Sequence, residues 1–275
     1  MPALDYRTQT VLITGASSGI GAEFARALAA RGADLVLVAR RRDRLEALAS
    51  ELEAAHGVTI TAIAQDLESP SAALDLSSAI ADAGLQVTGV INNAGFGTFG
   101  DFAHEDPDRL RREIAVDVSA PVQLSAAFLP GMLEAGQGFL INVASMAAYT
   151  PTPRMAVYGA AKAFVLSFTE SLWAETRGSG VTVFALSPGA TSTEFNAVVG
   201  TDDATAGARM RTAADVVATA LTHLERRNPG PSVIDGRANR MSSSIGRLMS
   251  RRTTATLMHR LTDPARRGRA DAVAR

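Results

Sequence analysis

Thr10-Val11-Leu12-Ile13-Thr14-Gly15-Ala16-Ser17-Ser18-Gly19-Ile20-Gly21 sets a short apolar, β-branched run directly before a glycine-rich turn, and Ala22–Arg31 then continues with helical spacing. Gly15 permits the tight turn off the strand. Gly19 lets backbone amides approach a pyrophosphate, and Gly21 lets helix and strand pack closely. With Ser17, Ser18 and Ile20 between them, these glycines aim a helix N-terminus at an anion, as dinucleotide sites do. The spacing, G-x3-G-x-G, departs from G-x-G-x-x-G, so the strand–loop–helix context carries the reading; a tight βα turn with no ligand is the bland alternative.

Outward from this loop the same alternation repeats. Asp34–Ala39, Val58–Gln65, Val87–Ile91, Gly138–Ala144, Val181–Leu186 and Pro231–Ile234 read as further strands, while Arg42–His56, Ser71–Ala83, Pro107–Ala135, Met155–Arg177 and Ala213–Arg226 read as helices. Strands that are continuous apolar runs are buried on both faces, which predicts an α/β, doubly wound parallel sheet. No repeat or low-complexity linker divides the chain, so residues 1–236 are expected to form one domain. Residues 237–275 read as a basic helical extension.

Composition narrows the chemistry. The 275 residues are 47% hydrophobic and 20% charged, an ordinary globular balance that excludes disorder and collagen. Without cysteine there is no thiol nucleophile and no thiolate zinc site, and four scattered histidines argue against any metal centre. Of 27 basic residues only Lys162 is a lysine, a singular ammonium in an arginine-rich chain. Residues 236–275 hold ten arginines against Asp263 and Asp271. That tail has no aromatic residue to stack on bases, which argues against nucleic acid. The N-terminus lacks the charged and apolar regions of a signal peptide, and a cytoplasmic protein is expected.

At the end of the second strand, a dinucleotide with a free ribose 2′-hydroxyl would be met by Asp or Glu. This chain instead offers Arg40, Arg41 and Arg42. A planar guanidinium suits a 2′-phosphate, so NADP(H) is expected over NAD(H), with Arg40 as first contact and Arg41 as second. Asp66, followed by Leu67, ends the third strand and is expected near the adenine.

Tyr158-Gly159-Ala160-Ala161-Lys162 places a phenol and an ammonium at i and i+4 on one helix face. A neighbouring cation favours phenolate, which makes proton transfer the natural use of the pair. Ser145 closes the strand that precedes this helix, at the carboxyl edge where ligands of open α/β sheets bind.

With these pieces in order, the sequence resembles the short-chain dehydrogenase/reductase family over residues 8–236. The matching motifs are TGASSGIG (14–21), Asp66, NNAG (92–95), Ser145, YGAAK (158–162) and Ser187-Pro188-Gly189 with Thr193. The resemblance implies a Rossmann-type sheet of seven strands in the order 3-2-1-4-5-6-7 and carbonyl/alcohol interconversion by hydride transfer. It implies that Tyr158 is the acid/base, that Ser145 hydrogen-bonds the substrate oxygen, and that Lys162 binds the nicotinamide ribose and holds the phenol's pKa down. Asn93, Ala94 and Gly95 would line the middle of the cofactor site, and Pro188, Gly189 and Thr193 the carboxamide end. The family commonly has asparagine in the long helix after NNAG, where it holds a water of a proton relay; here the position is Asp117. An aspartate keeps an acceptor, loses the amide donors and, if ionised, sets a negative charge near Lys162.

Residues 190–211 read as a substrate lid, with Phe195, Val198 and Val199, joined by Phe96, Phe99, Met146, Tyr149 and Met155, as candidates to line a site for a hydrophobic ketone, aldehyde or alcohol. In the tail, Ile245, Leu248 and Met249, then Leu257, Met258 and Leu261, suggest amphipathic helices covering the cleft or a neighbouring subunit, a reading preferred over contact with a membrane surface. Trp173 is expected to serve helix packing. Family likeness implies a homodimer or homotetramer through the two long helices. The rival to an enzyme is a non-catalytic NADP(H)-binding regulator or scaffold of the same fold.

Overall fold

The apolar runs form the middle layer of the computed structural model, which describes residues 4–195, 199, 210–246 and 249–263. The strands are β1 (Thr10–Thr14), β2 (Asp34–Ala39), β3 (Ile60–Ala64), β4 (Gly89–Asn92), β5 (Gly138–Val143), β6 (Val181–Ser187) and β7 (Ser232–Ile234). All pairs are parallel, in the order β3-β2-β1-β4-β5-β6-β7, with Val11 set between Leu35 and Gly89. Successive residues along a strand face opposite sides. Ile13 therefore joins Phe24 and Leu28 of α1 (Gly19–Ala29) and Leu45 and Leu52 of α2 (Arg42–His56), whereas Leu12 joins Leu76 of α3 (Ala72–Asp82) on the other face. Both sheet faces are thus covered, which is why the strands carry no polar alternation.

The segment expected to be one helix, Pro107–Ala135, is divided. It contains α4 (Pro107–Ile114), a π turn at Ala115–Ser119 and α5 (Ala120–Ala135). Across the π turn the Ala120 N–H bonds the Ala115 carbonyl five residues back. Pro121 explains the break: it has no N–H to give the Asp117 carbonyl, and its ring would clash there in a regular helix. This segment is long and apolar enough by composition to cross a bilayer. Its Ala120, Leu124 and Met132 instead lie in the core beneath the sheet.

Among the described residues, further helices are α6 (Ala156–Glu175), α7 (Ala213–Leu224), α8 (Arg237–Gly246) and α9 (Arg251–Leu261). Thr212 and Asp215 cap α7 reciprocally, each side chain accepting from the other's backbone N–H. Strand β3 is shorter than expected because its outer residues Val58 and Thr59 lead in from the left-handed cap at Gly57, and α1 starts three residues earlier, at Gly19 itself. Within the expected lid, the two ends are pinned together: Ser192 N–H donates to the Arg211 carbonyl at 2.8 Å and Arg211 N–H to that of Ala190 at 2.9 Å. Val198 and Leu248, expected to be apolar contacts of lid and tail, lie outside the described residues.

Candidate active site

The loop after β1 takes the shape its glycines predict. Gly15 has φ +67°, and a Cβ there would press on Asn93 and Ala94 at 2.8–2.9 Å. A Cβ on Gly21 would run into the Gly15 carbonyl, so only hydrogen lets α1 begin this close to β1. Thr14 fastens the facing turn: its hydroxyl accepts from the N–H groups of Asn93 and Ala94, both at 3.0 Å, and Asn93 Nδ2 returns a bond to the Thr14 carbonyl at 2.9 Å. Beneath it, Asn92 donates to Asn142 at 2.8 Å and Asn142 to Thr169 at 2.9 Å, a buried amide chain that ties β4 and β5 to α6. These buried polar groups inside apolar strands were the available sign of that role.

The two arginines at the end of β2 point in different directions. Arg40 turns outward to Glu68, at 3.3 Å. Arg41 lies on the glycine loop, with Nη2 2.9 Å from both Ser17 Oγ and Ser18 Oγ and Nε 3.2 Å from Ser17 Oγ. Asp66 is exposed and accepts from the Glu68 N–H at 3.0 Å, while the Leu67 side chain is buried in the core with Val36 and Val38. Ile20 is half-buried and packs against the opposite core cluster.

Ser145, Tyr158, Lys162 and Asp117 meet at the carboxyl end of β5. Ser145 caps a short turn, Met146–Ala148, accepting from the Ala147 N–H at 3.1 Å, and its hydroxyl faces that of Tyr158, whose ionised form it favours. Lys162 is buried, donates to the Val143 carbonyl at 3.2 Å, and stands 3.6 Å from Asp117 Oδ1. Its Nζ is 5.6 Å from the centre of the Tyr158 ring. Gly95 completes the enclosure, because a Cβ there would collide with Asp117 and sit 3.0 Å from Lys162 Nζ. The π turn points Asp117 into this space, where the Phe96 backbone N–H and Lys162 face its carboxyl.

The electrostatics of the chain modify one expectation. Burial, then the negative charges of Asp117 and Glu113, push the Tyr158 phenol above its ordinary value, and the Ser145 hydrogen bond opposes them only in part. Burial, the largest cause, outweighs any lowering by Lys162, whose Nζ stands 5.6 Å from the ring centre. Burial lifts Asp117 to about 6 even against Lys162.

Glu113, four residues before Asp117 and without solvent-accessible surface, escaped sequence reasoning because it reads as one more charge on a solvated helix. Burial raises its carboxyl to about 7; Asp117 and Glu105 add to that, and Thr98 opposes it. A carboxyl raised on folding binds its proton more tightly in the native state, so the stability it lends is full below about 4.5 and is lost as pH rises through about 7. Glu113→Gln is expected to remove about 1–3 kcal/mol of the stability lost between pH 5.5 and 8. Urea unfolding at the two pH values measures this, and an unchanged pH slope would contradict it.

Above the Tyr158 ring lies an apolar cluster. Phe195 is 5.3 Å away centre to centre, and Met155, Val199, Phe99 and Ala147 pack with the pair. Phe96 belongs instead to the sheet core, and Tyr149 places its hydroxyl 3.2 Å from Ser187 Oγ. Pro188 accepts from the Met146 N–H at 2.9 Å, Gly189 abuts Asn239, and Thr193 Oγ1 accepts from the Phe195 N–H at 3.3 Å. Trp173 donates to the Pro229 carbonyl at 3.0 Å, far along α6 from this cluster. Arg154, the one described non-glycine residue with positive φ (68°), reaches from the loop before α6 to the His259 carbonyl and Thr262 hydroxyl, each at 3.3 Å, and so ties α9 to the mouth of the site. Among the described residues no group of three or more His, Asp or Glu side chains is placed to hold a metal.

A glycine-rich strand–loop–helix turn beside a half-buried serine and a buried tyrosine and lysine is the arrangement of an oxidoreductase of the nicotinamide-dependent, Rossmann-type class. The family model for short chain dehydrogenases matches residues 9–204, and the chain belongs to the short-chain dehydrogenase/reductase family. It is 38% identical over 207 residues to a sulfoacetaldehyde reductase of Chromohalobacter salexigens, covering 74% of this chain and 81% of that protein. Curated relatives are matched over 61% to 90% of their own length. A short-chain dehydrogenase of Sphingobium yanoikuyae in complex with NADPH superposes with a TM-score of 0.78 at 36% identity, over 87% of this chain and 93% of that one. A bulky-bulky ketone specific alcohol dehydrogenase of Comamonas testosteroni gives 0.74 at 31% identity, over 88% and 94%. The chain is thus a dehydrogenase/reductase acting on carbonyl or alcohol substrates with a nicotinamide dinucleotide.

Proposed function

We propose that this protein is an NADP(H)-dependent oxidoreductase that interconverts a hydrophobic ketone or aldehyde and its alcohol. The observation that carries this reading is the group of half-buried Ser145 with buried Tyr158, Lys162 and Asp117, opening onto the apolar cluster of Met155, Phe195 and Val199. When bound, the nicotinamide supplies or takes up the hydride. Ser145 orients the substrate oxygen and Tyr158 gives it the proton during reduction, or takes it during oxidation. Lys162 holds the ribose and, with Asp117 behind it, provides the route by which the phenol is reprotonated. The loop formed by Gly15, Ser17, Ser18, Gly19, Ile20 and Gly21 would hold the pyrophosphate. Asn93, Ala94 and Gly95 would line the middle of the nucleotide, Asp66 and Leu67 its adenine, and Pro188, Gly189 and Thr193 its carboxamide.

The preference for NADP(H) rests on Arg41, whose guanidinium already lies over Ser17 and Ser18, with Arg40 as the outer cation. Arg41→Ala is expected to weaken NADPH binding roughly 10- to 100-fold and NADH binding by less than about threefold, as a lost charge-assisted contact to phosphate would. Equal losses for the two nucleotides would overturn the preference. Residues 190–211 act as the substrate lid in this reading, and 237–275 as an extension whose α9, held by Arg154, walls the site. Exposed Ile114, Leu133 and Phe164, the last stacked on Phe168 at 5.9 Å, support assembly as a homodimer or homotetramer through α4, α5 and α6. NADPH oxidation against a panel of ketones and aldehydes of increasing bulk tests the function. Turnover of apolar carbonyls is expected, and inertness on every compound with NADPH still bound would favour the scaffold reading instead.

A further inference from the structure

Glu194 was not singled out by sequence, yet it closes the nucleotide site from the far side. One of its carboxylate oxygens accepts from Arg41 Nη1 at 2.9 Å and the other from Arg44 Nη1 at 2.6 Å. The remaining nitrogens of Arg41 are given to Ser17 and Ser18, so its whole donor fork is engaged. Glu194 comes from the segment after β6 and Arg44 from α2, and the preceding Thr193 lies across the glycine loop, 3.1 Å from where a Gly19 Cβ would be. The two arginines hold the Glu194 carboxyl down at about 2, so it stays charged at any working pH.

We propose that Glu194 tunes discrimination between nicotinamide dinucleotides by competing, as a carboxylate, with a 2′-phosphate for Arg41 and Arg44. The proposal rests on the NADP(H) reading given above. A ribose phosphate seeking the Arg41 fork has two options. It can displace Glu194, which gives up two charge-assisted bonds, or settle beside it, which sets like charges together. A dinucleotide with a free 2′-hydroxyl meets neither obstacle. Two guanidiniums against one carboxylate still leave a positive site, so Glu194 moderates the preference for the phosphorylated cofactor without reversing it. Its side chain is 45% exposed, which limits the effect through solvent and salt screening.

The test is fluorescence titration of the full-length protein with NADPH and with NADH, for wild type, Glu194→Gln, Arg41→Ala and the double variant. Glu194→Gln is expected to tighten NADPH roughly three- to tenfold and to leave NADH within about twofold, with the gain shrinking in high salt. In the Arg41→Ala background the gain should largely vanish. If wild type prefers NADPH but Glu194→Gln leaves its affinity unchanged or weaker, the competition is overturned while the NADP(H) reading stands. If wild type binds both nucleotides alike and Arg41→Ala changes neither, the NADP(H) reading falls and takes this inference with it.

Discussion

Tyr158→Phe is expected to lower kcat/KM for carbonyl reduction about 10³-fold while NADPH affinity stays within about twofold, the size of loss that follows removal of a positioned general acid. Phenylalanine keeps the ring that packs on Phe195 and Met155, so folding and the apolar wall are preserved and only the hydroxyl that faces Ser145 is removed. Burial and the negative charges of Asp117 and Glu113 raise the phenol's pKa, which keeps it protonated at neutral pH. That is the form reduction needs. Oxidation of an alcohol requires the phenolate, so the oxidative rate of wild type should climb steadily toward alkaline pH, while the reductive rate, which uses the phenol, should not fall through loss of the Tyr158 proton below about pH 10. Steady-state rates in both directions between pH 6 and 10 measure this. Activity of the variant within tenfold of wild type would remove Tyr158 from the proton-transfer role.

The glycine loop and strand order were legible because short-range signals specify them: a turn that only glycine can make, and apolar runs whose length and lack of alternation suit buried parallel strands. Ser145, Tyr158 and Lys162 were legible for a related reason, since helix periodicity and the carboxyl edge of a strand place them without knowledge of side-chain contacts. What stayed hidden depends on long-range packing. The family resemblance set Asp117 near Lys162, but only the folded helix shows that a π turn ahead of Pro121 is what brings it there. Arg40 and Arg41 are adjacent and chemically identical, so their division between Glu68 and the glycine loop is set by where β2 releases the chain. Glu113 and Glu194 read as surface acids. One is buried by the loop that follows β4, and the other is drawn across the nucleotide site by arginines 150 or more residues away.

Lys162→Arg should be the most damaging change that conserves charge, with kcat/KM falling at least about 100-fold. The sole lysine of the chain occupies a space sized for an ammonium: its Nζ lies 3.2 Å from the Val143 carbonyl and 3.6 Å from Asp117, with Gly95 close enough that even a Cβ would reach 3.0 Å. A planar guanidinium is broader and spreads its donors in a fixed fork, so it must displace Asp117 or Gly95 or withdraw from the site. Either movement shifts the donor relative to Tyr158, and a displacement on the order of 1 Å in a positioning group costs about 10²-fold in rate. Thermal unfolding separates this from simple loss of fold, since Arg41, Ser17 and the glycine loop lie apart from the substitution and should still bind the adenine end of the nucleotide. The companion variant Asp117→Asn removes the negative charge while keeping the shape. It should lower the phenol's pKa, moving the alkaline limb of alcohol oxidation to lower pH, because Asp117 is one of the charges that raise that pKa. Near-wild-type turnover in Lys162→Arg would mean that the lone ammonium serves only to balance Asp117, and the proton route would then have to be sought elsewhere.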